Sequence, residues 1–156
     1  MNTRKLMLTA LLATLTAGRL VVLPDAAEAR AREIYTAPMS AIAVAGYDPV
    51  AYFDLGKAVP GAKTHTTLWK GAEFRFASAA SLTKFRADPA RYAPQYGGYC
   101  AWAVSQGYRA KGDPKHWRVV GGKLYLNYSA DVQKRWEADI PGFIAKAEKN
   151  WPRVLD

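Results

Sequence analysis

The chain is short of the residues on which most protein chemistry is built. Its 156 residues include one cysteine, Cys100, and two histidines, His65 and His116. One cysteine rules out an intrachain disulfide. Neither CxxC nor HExxH occurs, which excludes the standard zinc sites. There is no GxxxxGK[ST] loop, and no GxGxxG follows a strand-like run, so the usual phosphate cradles are missing. No uninterrupted apolar run reaches the ~18 residues of a membrane span. Lys and Arg outnumber Asp and Glu by 22 to 13, a formal net charge of +9, yet they are scattered. That scatter reads as a solvated basic surface carrying no nucleic-acid motif.

What is present is globular. Half the residues are apolar and 12% are aromatic. This suffices for the core of one domain and is too little for two of ordinary size. The nine tyrosines, five tryptophans and five phenylalanines make the core or a pocket rich in rings.

The first residues read as an address. Arg4 and Lys5 form a charged start, Leu6 to Ala17 a short apolar run, and Ala27-Glu28-Ala29 an A-x-A cleavage site. Residues 1–29 are therefore expected to be a signal peptide cut after Ala29, with a domain at residues 33–154 in the periplasm or secreted. After cleavage the protein is not transmembrane. The cut removes Arg4, Lys5 and Arg19 against Asp25 and Glu28, so the net charge falls only from +9 to +8. An oxidising compartment makes the free thiol of Cys100 conspicuous.

Local patterns predict the elements. Val50-Ala51-Tyr52-Phe53 reads as a strand after the Gly46-Tyr47-Asp48-Pro49 turn. Thr64–Trp69 and Glu73–Phe76, joined by Lys70-Gly71, read as a hairpin, with Phe74 and Phe76 on one face. Ser78 caps a short helix bearing Leu82 and Phe85, and Asp88-Pro89 ends it or starts a second turn through Tyr92. Ala101–Val104 fits helix and strand equally. Trp117–Val120, Gly121-Gly122 and Leu124–Tyr128 form a second hairpin. Val132, Trp136, Ile140, Phe143, Ile144, Ala147 and Trp151 then recur three or four apart, a core stripe that Pro141 divides into two helices. No internal repeat is visible. The expected fold is α+β: a single small domain with two β-hairpins, a short central helix and a C-terminal helical pair.

Candidate chemistry is sparse. Cys100 follows Gly97-Gly98-Tyr99 and reads as a soft metal ligand, a redox thiolate or a small buried residue. His65 offers a borderline-metal nitrogen from the start of a strand, while His116 reads as a turn residue. A Cys100–histidine nucleophilic pair is formally allowed but has no local signature. Asp48 offers a carboxylate oxygen to a metal, or else closes an Asx turn. Tyr47, Tyr52, Tyr96 and Tyr99 cluster near these motifs as candidate walls of a ligand pocket.

Gly46-Tyr47-Asp48-Pro49-Val50-Ala51-Tyr52-Phe53 resembles the opening of the YHS domain. Trp69-Lys70-Gly71, Phe74-Arg75-Phe76-Ala77-Ser78, Phe85, Asp88-Pro89 and Tyr92 continue the likeness. Gln95 to Ala101, Gly112-Asp113-Pro114, Gly122 to Tyr128 and Asp139 to Gly142 resemble a stand-alone, secreted proteobacterial branch of that family. The resemblance implies metal handling, with cysteines expected after Asp-Pro-Val and beside the Phe-x-x-Ser strand. Here Ala51 and Ala77 hold those positions. The reading is a periplasmic protein binding a soft or borderline transition metal ion (Cu or Zn) through Cys100, His65 and Asp48. A thiol-dependent redox protein using Cys100 remains open. So does a non-catalytic module for a small molecule or protein, using the aromatic pocket. Nucleic acid is not an expected partner.

Overall fold

The structure, a computed structural model, describes residues 30–156; the leader-like segment at 1–29 lies outside them. The fold is α+β, with two separate two-stranded antiparallel sheets. The first is β1 (Ala62–Trp69) with β2 (Ala72–Phe76); the second is β3 (Asp113–Val120) with β4 (Lys123–Asn127). Helices α1 (Ala51–Asp54), α2 (Ala79–Ala87) and α3 (Pro89–Tyr92) flank the first hairpin. Helices α4 (Ala101–Ser105), α5 (Ala130–Glu137) and α6 (Ile140–Asn150) flank the second. No described helix is long and apolar enough to cross a membrane.

Most local signals act as expected. Ser78 Oγ accepts the Ser81 N–H at 3.1 Å and starts α2. Asp88 Oδ1 accepts the Arg91 N–H at 3.1 Å and starts α3, with Pro89 in the first turn, where a missing N–H costs nothing. Pro141 sits likewise in the first turn of α6 and separates it from α5. Two segments need correction or resolution. Val50–Phe53 is not a strand: Asp48 Oδ1 accepts the Val50 N–H at 2.8 Å, and this Asx turn rolls the backbone into α1. The β-branched and aromatic residues that suggest a strand serve burial instead, Val50 at 0% and Tyr52 at 2% exposure. Ala101–Val104, ambiguous by period, is helical as part of α4.

The structure also contains an internal repeat that the sequence pattern did not reveal. In the first hairpin Ala62 pairs with Phe76, a bulge follows, and pairing resumes at Thr66 with Arg75. In the second, Asp113 pairs with Asn127, a bulge follows, and pairing resumes at Trp117 with Leu126. Each residue is displaced by 51 positions (62 to 113, 76 to 127). The same displacement carries the Ser78 cap to Ser129, whose Oγ accepts the Val132 N–H, and the Asp88 cap to Asp139, whose Oδ1 accepts the Gly142 N–H. Asp88 and Asp139 share an unusual backbone, φ/ψ −150°/77° and −153°/68°. Phe85 and Trp136, both fully buried, correspond too. Upstream the displacement is 52: the left-handed turn Val44-Ala45-Gly46 (φ 50°, 48°, 82°) returns as Tyr96-Gly97-Gly98 (φ 53°, 61°, 87°). One residue has been lost from the loop between turn and hairpin. Two copies of one turn–helix–hairpin–helix unit therefore make up the domain.

The copies share a core through β4. Leu124 and Leu126 point into the cluster built on Phe74, Phe76 and Phe85, while Tyr125, on the opposite face, packs with Tyr96, Trp136 and Ala147. Period-two alternation thus feeds two cores from one strand. Tyr52 of α1 reaches across to donate its hydroxyl to Pro114 O at 2.8 Å and meets Trp117 edge-on. An N-terminal strap, residues 31–43, spans both copies. Ala31 N–H donates to Leu155 O, Tyr35 N–H to Gly97 O, and Ala43 N–H to Glu73 O.

Gly97 is where the strap presses closest. A Cβ there would lie 1.7 Å from Glu33 O, at φ +61°. Gly121, in the β3–β4 turn, has φ +57° and nothing within 4 Å. We expect Gly97→Ala to cost about 3 kcal/mol or more, because the strap must move. Gly121→Ala should cost about 1 kcal/mol, from backbone strain alone. Urea unfolding of both variants measures the difference.

Candidate functional site

Asp48 is fully buried, and its carboxylate is used by the fold. Oδ1 accepts the Val50 N–H at 2.8 Å and Oδ2 accepts the Ala77 N–H at 3.0 Å. Its own N–H donates to Val59 O. The side chain ties the left-handed turn to the end of β2. Of the two roles the residue offers on paper, the Asx turn is the one seen.

Cys100 stands in the corresponding place in the second copy. Its N–H donates to Ala110 O, displaced 51 positions from Val59. Its side chain lies at the start of α4, 1% exposed, with Sγ donating to Asn127 Oδ1 at 3.7 Å. Burial pushes the thiol above its ordinary value; the backbone N–H groups of Ala103, Tyr128 and Trp102 pull the other way and are outweighed. Asn127 Oδ1 also accepts the Trp102 N–H at 3.2 Å, which fixes the amide, and leaves the fully buried Nδ2 without a partner. Sequence reasoning missed Asn127. The signal it offered was a polar residue closing an otherwise apolar strand, Leu124-Tyr125-Leu126.

The histidines lie on the two hairpins. His65 and His116 occupy equivalent bulges, in β1 and β3, displaced by 51 positions. His65 Nδ1 is 3.5 Å from Thr64 Oγ1, a local contact. Among the described residues no three His, Cys, Asp or Glu side chains gather into a group able to hold a metal, so Cys100, His65 and Asp48 do not form one. The four tyrosines are divided between the cores: Tyr47 and Tyr52 belong to the first, Tyr96 and Tyr99 to the second. The Tyr52 hydroxyl pKa is driven far up by burial, helped by Tyr47, Asp113 and Asp48, so it serves only as a neutral donor.

A concave surface lies along the strap. A groove of about 620 Å³ is lined by Arg32, Tyr35, Thr36, Met39, Ser40 and Tyr99, among others. Tyr99 donates its hydroxyl to Arg32 O at 2.9 Å and meets the Tyr35 ring edge-on at 5.2 Å. Among the described residues the Arg32 guanidinium makes two long contacts, 3.4 Å to Thr36 Oγ1 and 3.4 Å to Ser40 O. Only Tyr99 of this set was legible as a candidate. Arg32, Tyr35 and Ser40 lie in a stretch whose sole cue was an arginine close to a tyrosine.

With this geometry in view, the comparisons can be stated. Residues 50–96 match the family model of the YHS domain. No curated protein and no solved structure matches the chain. The YHS family is linked to metal binding in general. The residues present do not fit that role. The two positions at which the resemblance expects thiolates hold Ala51 and Ala77, and their counterparts in the second copy are Ala103 and Tyr128. Asp48 has both oxygens committed to backbone N–H groups. Cys100 belongs to no group of three or more His, Cys, Asp or Glu side chains among the described residues.

A buried, protonated thiol is expected to react slowly. Native protein at pH 7 should be alkylated by iodoacetamide far more slowly than protein unfolded in urea, as mass spectrometry can follow. Because folding raises this pKa, the stabilisation it supplies is complete below the ordinary thiol value of 9.0 and is lost as pH rises from there through the higher folded value. Cys100→Ala should lack that alkaline decline.

Proposed function

We propose that the protein is an extracytoplasmic, non-catalytic binding module of the YHS type that takes a small organic anion in the groove of Arg32, Tyr35 and Tyr99. The observation that carries this reading is the Arg32 guanidinium on the wall of a groove shared with two tyrosines, its contacts among the described residues being two long ones through a single nitrogen. Guanidinium presents five N–H donors in a planar fork that matches a carboxylate. Its two contacts here are long ones, so a carboxylate can compete for them. Tyr35 and Tyr99 offer apolar ring surface to the body of such a ligand, and Thr36 and Ser40 offer hydroxyls. The volume falls in the range of small-molecule sites. The excess of 22 basic over 13 acidic residues attracts anions at long range. The extracytoplasmic setting rests on the three-part leader pattern of residues 1–29.

Isothermal titration with a panel of aliphatic and aromatic mono- and dicarboxylates, with inorganic phosphate alongside, tests the reading. One or more carboxylates should bind, at least tenfold more weakly to Arg32→Ala and more weakly as salt is raised. No binding across the panel would sink the proposal. Elemental analysis of the same preparations covers the family's implied chemistry. Near-stoichiometric Cu or Zn that disappears in Cys100→Ser would replace this reading with a metal site at Cys100.

A further inference from the structure

We propose that residues 96–143 are a second, diverged YHS-type unit in which Cys100 takes the place of Asp48 and acts as the backbone tether of that unit rather than as a metal or redox centre. The matched family segment ends at residue 96, so nothing assigns the second half. The structure does so through correspondences that chance does not supply together. The two hairpins have the same register and the same bulge position. The two left-handed turns, the two serine caps and the two aspartate caps with matching backbone angles follow at displacements of 52 and 51. Gly61 and Gly112 are a further pair, each with its Cα against the strand beside it: a Cβ would meet Arg75 Cβ at 2.6 Å in the first copy and Leu126 Cβ at 2.7 Å in the second.

The tether correspondence is closest of all. Asp48 donates its N–H to Val59 O at 2.8 Å, and Cys100 donates its N–H to Ala110 O at 2.9 Å. Tyr47 bridges Pro60, and Tyr99 bridges Lys111. The Asp48 carboxylate takes the N–H two residues on, of Val50, and the N–H of Ala77 just past β2. In the second copy the N–H two residues on, of Trp102, is taken at 3.2 Å by Asn127 Oδ1, the same oxygen that Cys100 Sγ contacts at 3.7 Å. The N–H of Tyr128, just past β4, and that of Trp102 both act to lower the thiol pKa. The seat is thus an acceptor's seat, filled by a carboxylate in one copy and by sulfur with the Asn127 amide oxygen in the other. Sulfur is a weak acceptor. Asn127, standing where the first copy has Phe76, makes up part of the loss by taking the Trp102 N–H on its Oδ1. If a carboxylate were restored at residue 100, it would take that N–H itself. The Asn127 amide could then turn and give the carboxylate its unpartnered Nδ2.

Thermal melts of the full protein with Cys100→Asp and Cys100→Ala test the exchange. Cys100→Ala should melt about 5 °C or more below wild type. At pH 7 Cys100→Asp should melt above Cys100→Ala. Hydrogen bonds to the ionised form hold an aspartate's folded pKa below its unfolded value, so that margin should vanish as pH falls through about 4 toward 3. Cys100→Asp melting below Cys100→Ala at pH 7 would overturn the proposal. Should Cys100→Asp fail to fold, the reciprocal pair decides: Asp48→Cys melting above Asp48→Ala upholds the equivalence, and the opposite order refutes it. Copper or zinc present in wild type and lost from a folded Cys100→Asp would also refute the tether role.

Discussion

Two backbone N–H groups, from Val50 and Ala77, meet on the carboxylate of Asp48, and the geometry of the first unit follows from that meeting. The carboxylate is fully buried, so it must be fully satisfied. Charge-assisted bonds to backbone are worth roughly 1.5–3 kcal/mol each, and breaking one leaves a desolvated partner behind. This tether holds the left-handed turn in place although Val44 and Ala45 carry side chains there at positive φ, at a cost of about 1–2 kcal/mol each. Burial of Val44 helps offset the strain. With the turn held, α1 starts beside it, Tyr52 points at Pro114, and the first unit meets the second.

Recognising the tether changes the weight of the residues around it. A buried aspartate and a buried cysteine look like unrelated chemical opportunities while the chain is read in one direction. Superposed by their displacement, they are two solutions to one backbone problem. Function then has to be sought where the two units differ. The strap is such a place: it has no counterpart before the second unit, and its Arg32 and Tyr35 form the groove with Tyr99.

Short-range signals in the sequence were read well because their physics is local. The two hairpins, the cap at Ser78, the break at Asp88-Pro89 and the place of Pro141 follow from residues within four positions of one another. Val50–Phe53 was misread because composition stood in for geometry: the residue that bends the chain there is Asp48, acting through one side-chain bond. The repeat escaped because the paired residues share roles rather than names. Phe85 answers to Trp136, Phe74 to Tyr125 and Asp48 to Cys100; identities such as His65 with His116 and Gly71 with Gly122 are too thinly spread to stand out. The four tyrosines were grouped by nearness to motifs, whereas packing sorts them by unit. The groove was illegible because it needs Tyr99 beside Arg32, 67 positions away.

The strap begins against Leu155 and Asp156. Ala31 N–H is bound to Leu155 O, and Arg30 pairs with Asp156 at 3.2 Å. A chain made from its N-terminus cannot form these contacts until residues 155 and 156 exist. Each hairpin can collapse early on local pairing, but the strap can dock along its whole length only once those residues have been made. The groove itself is walled by the strap and Tyr99, so these late contacts anchor the start of the strap and leave the lining of the groove to residues already in place.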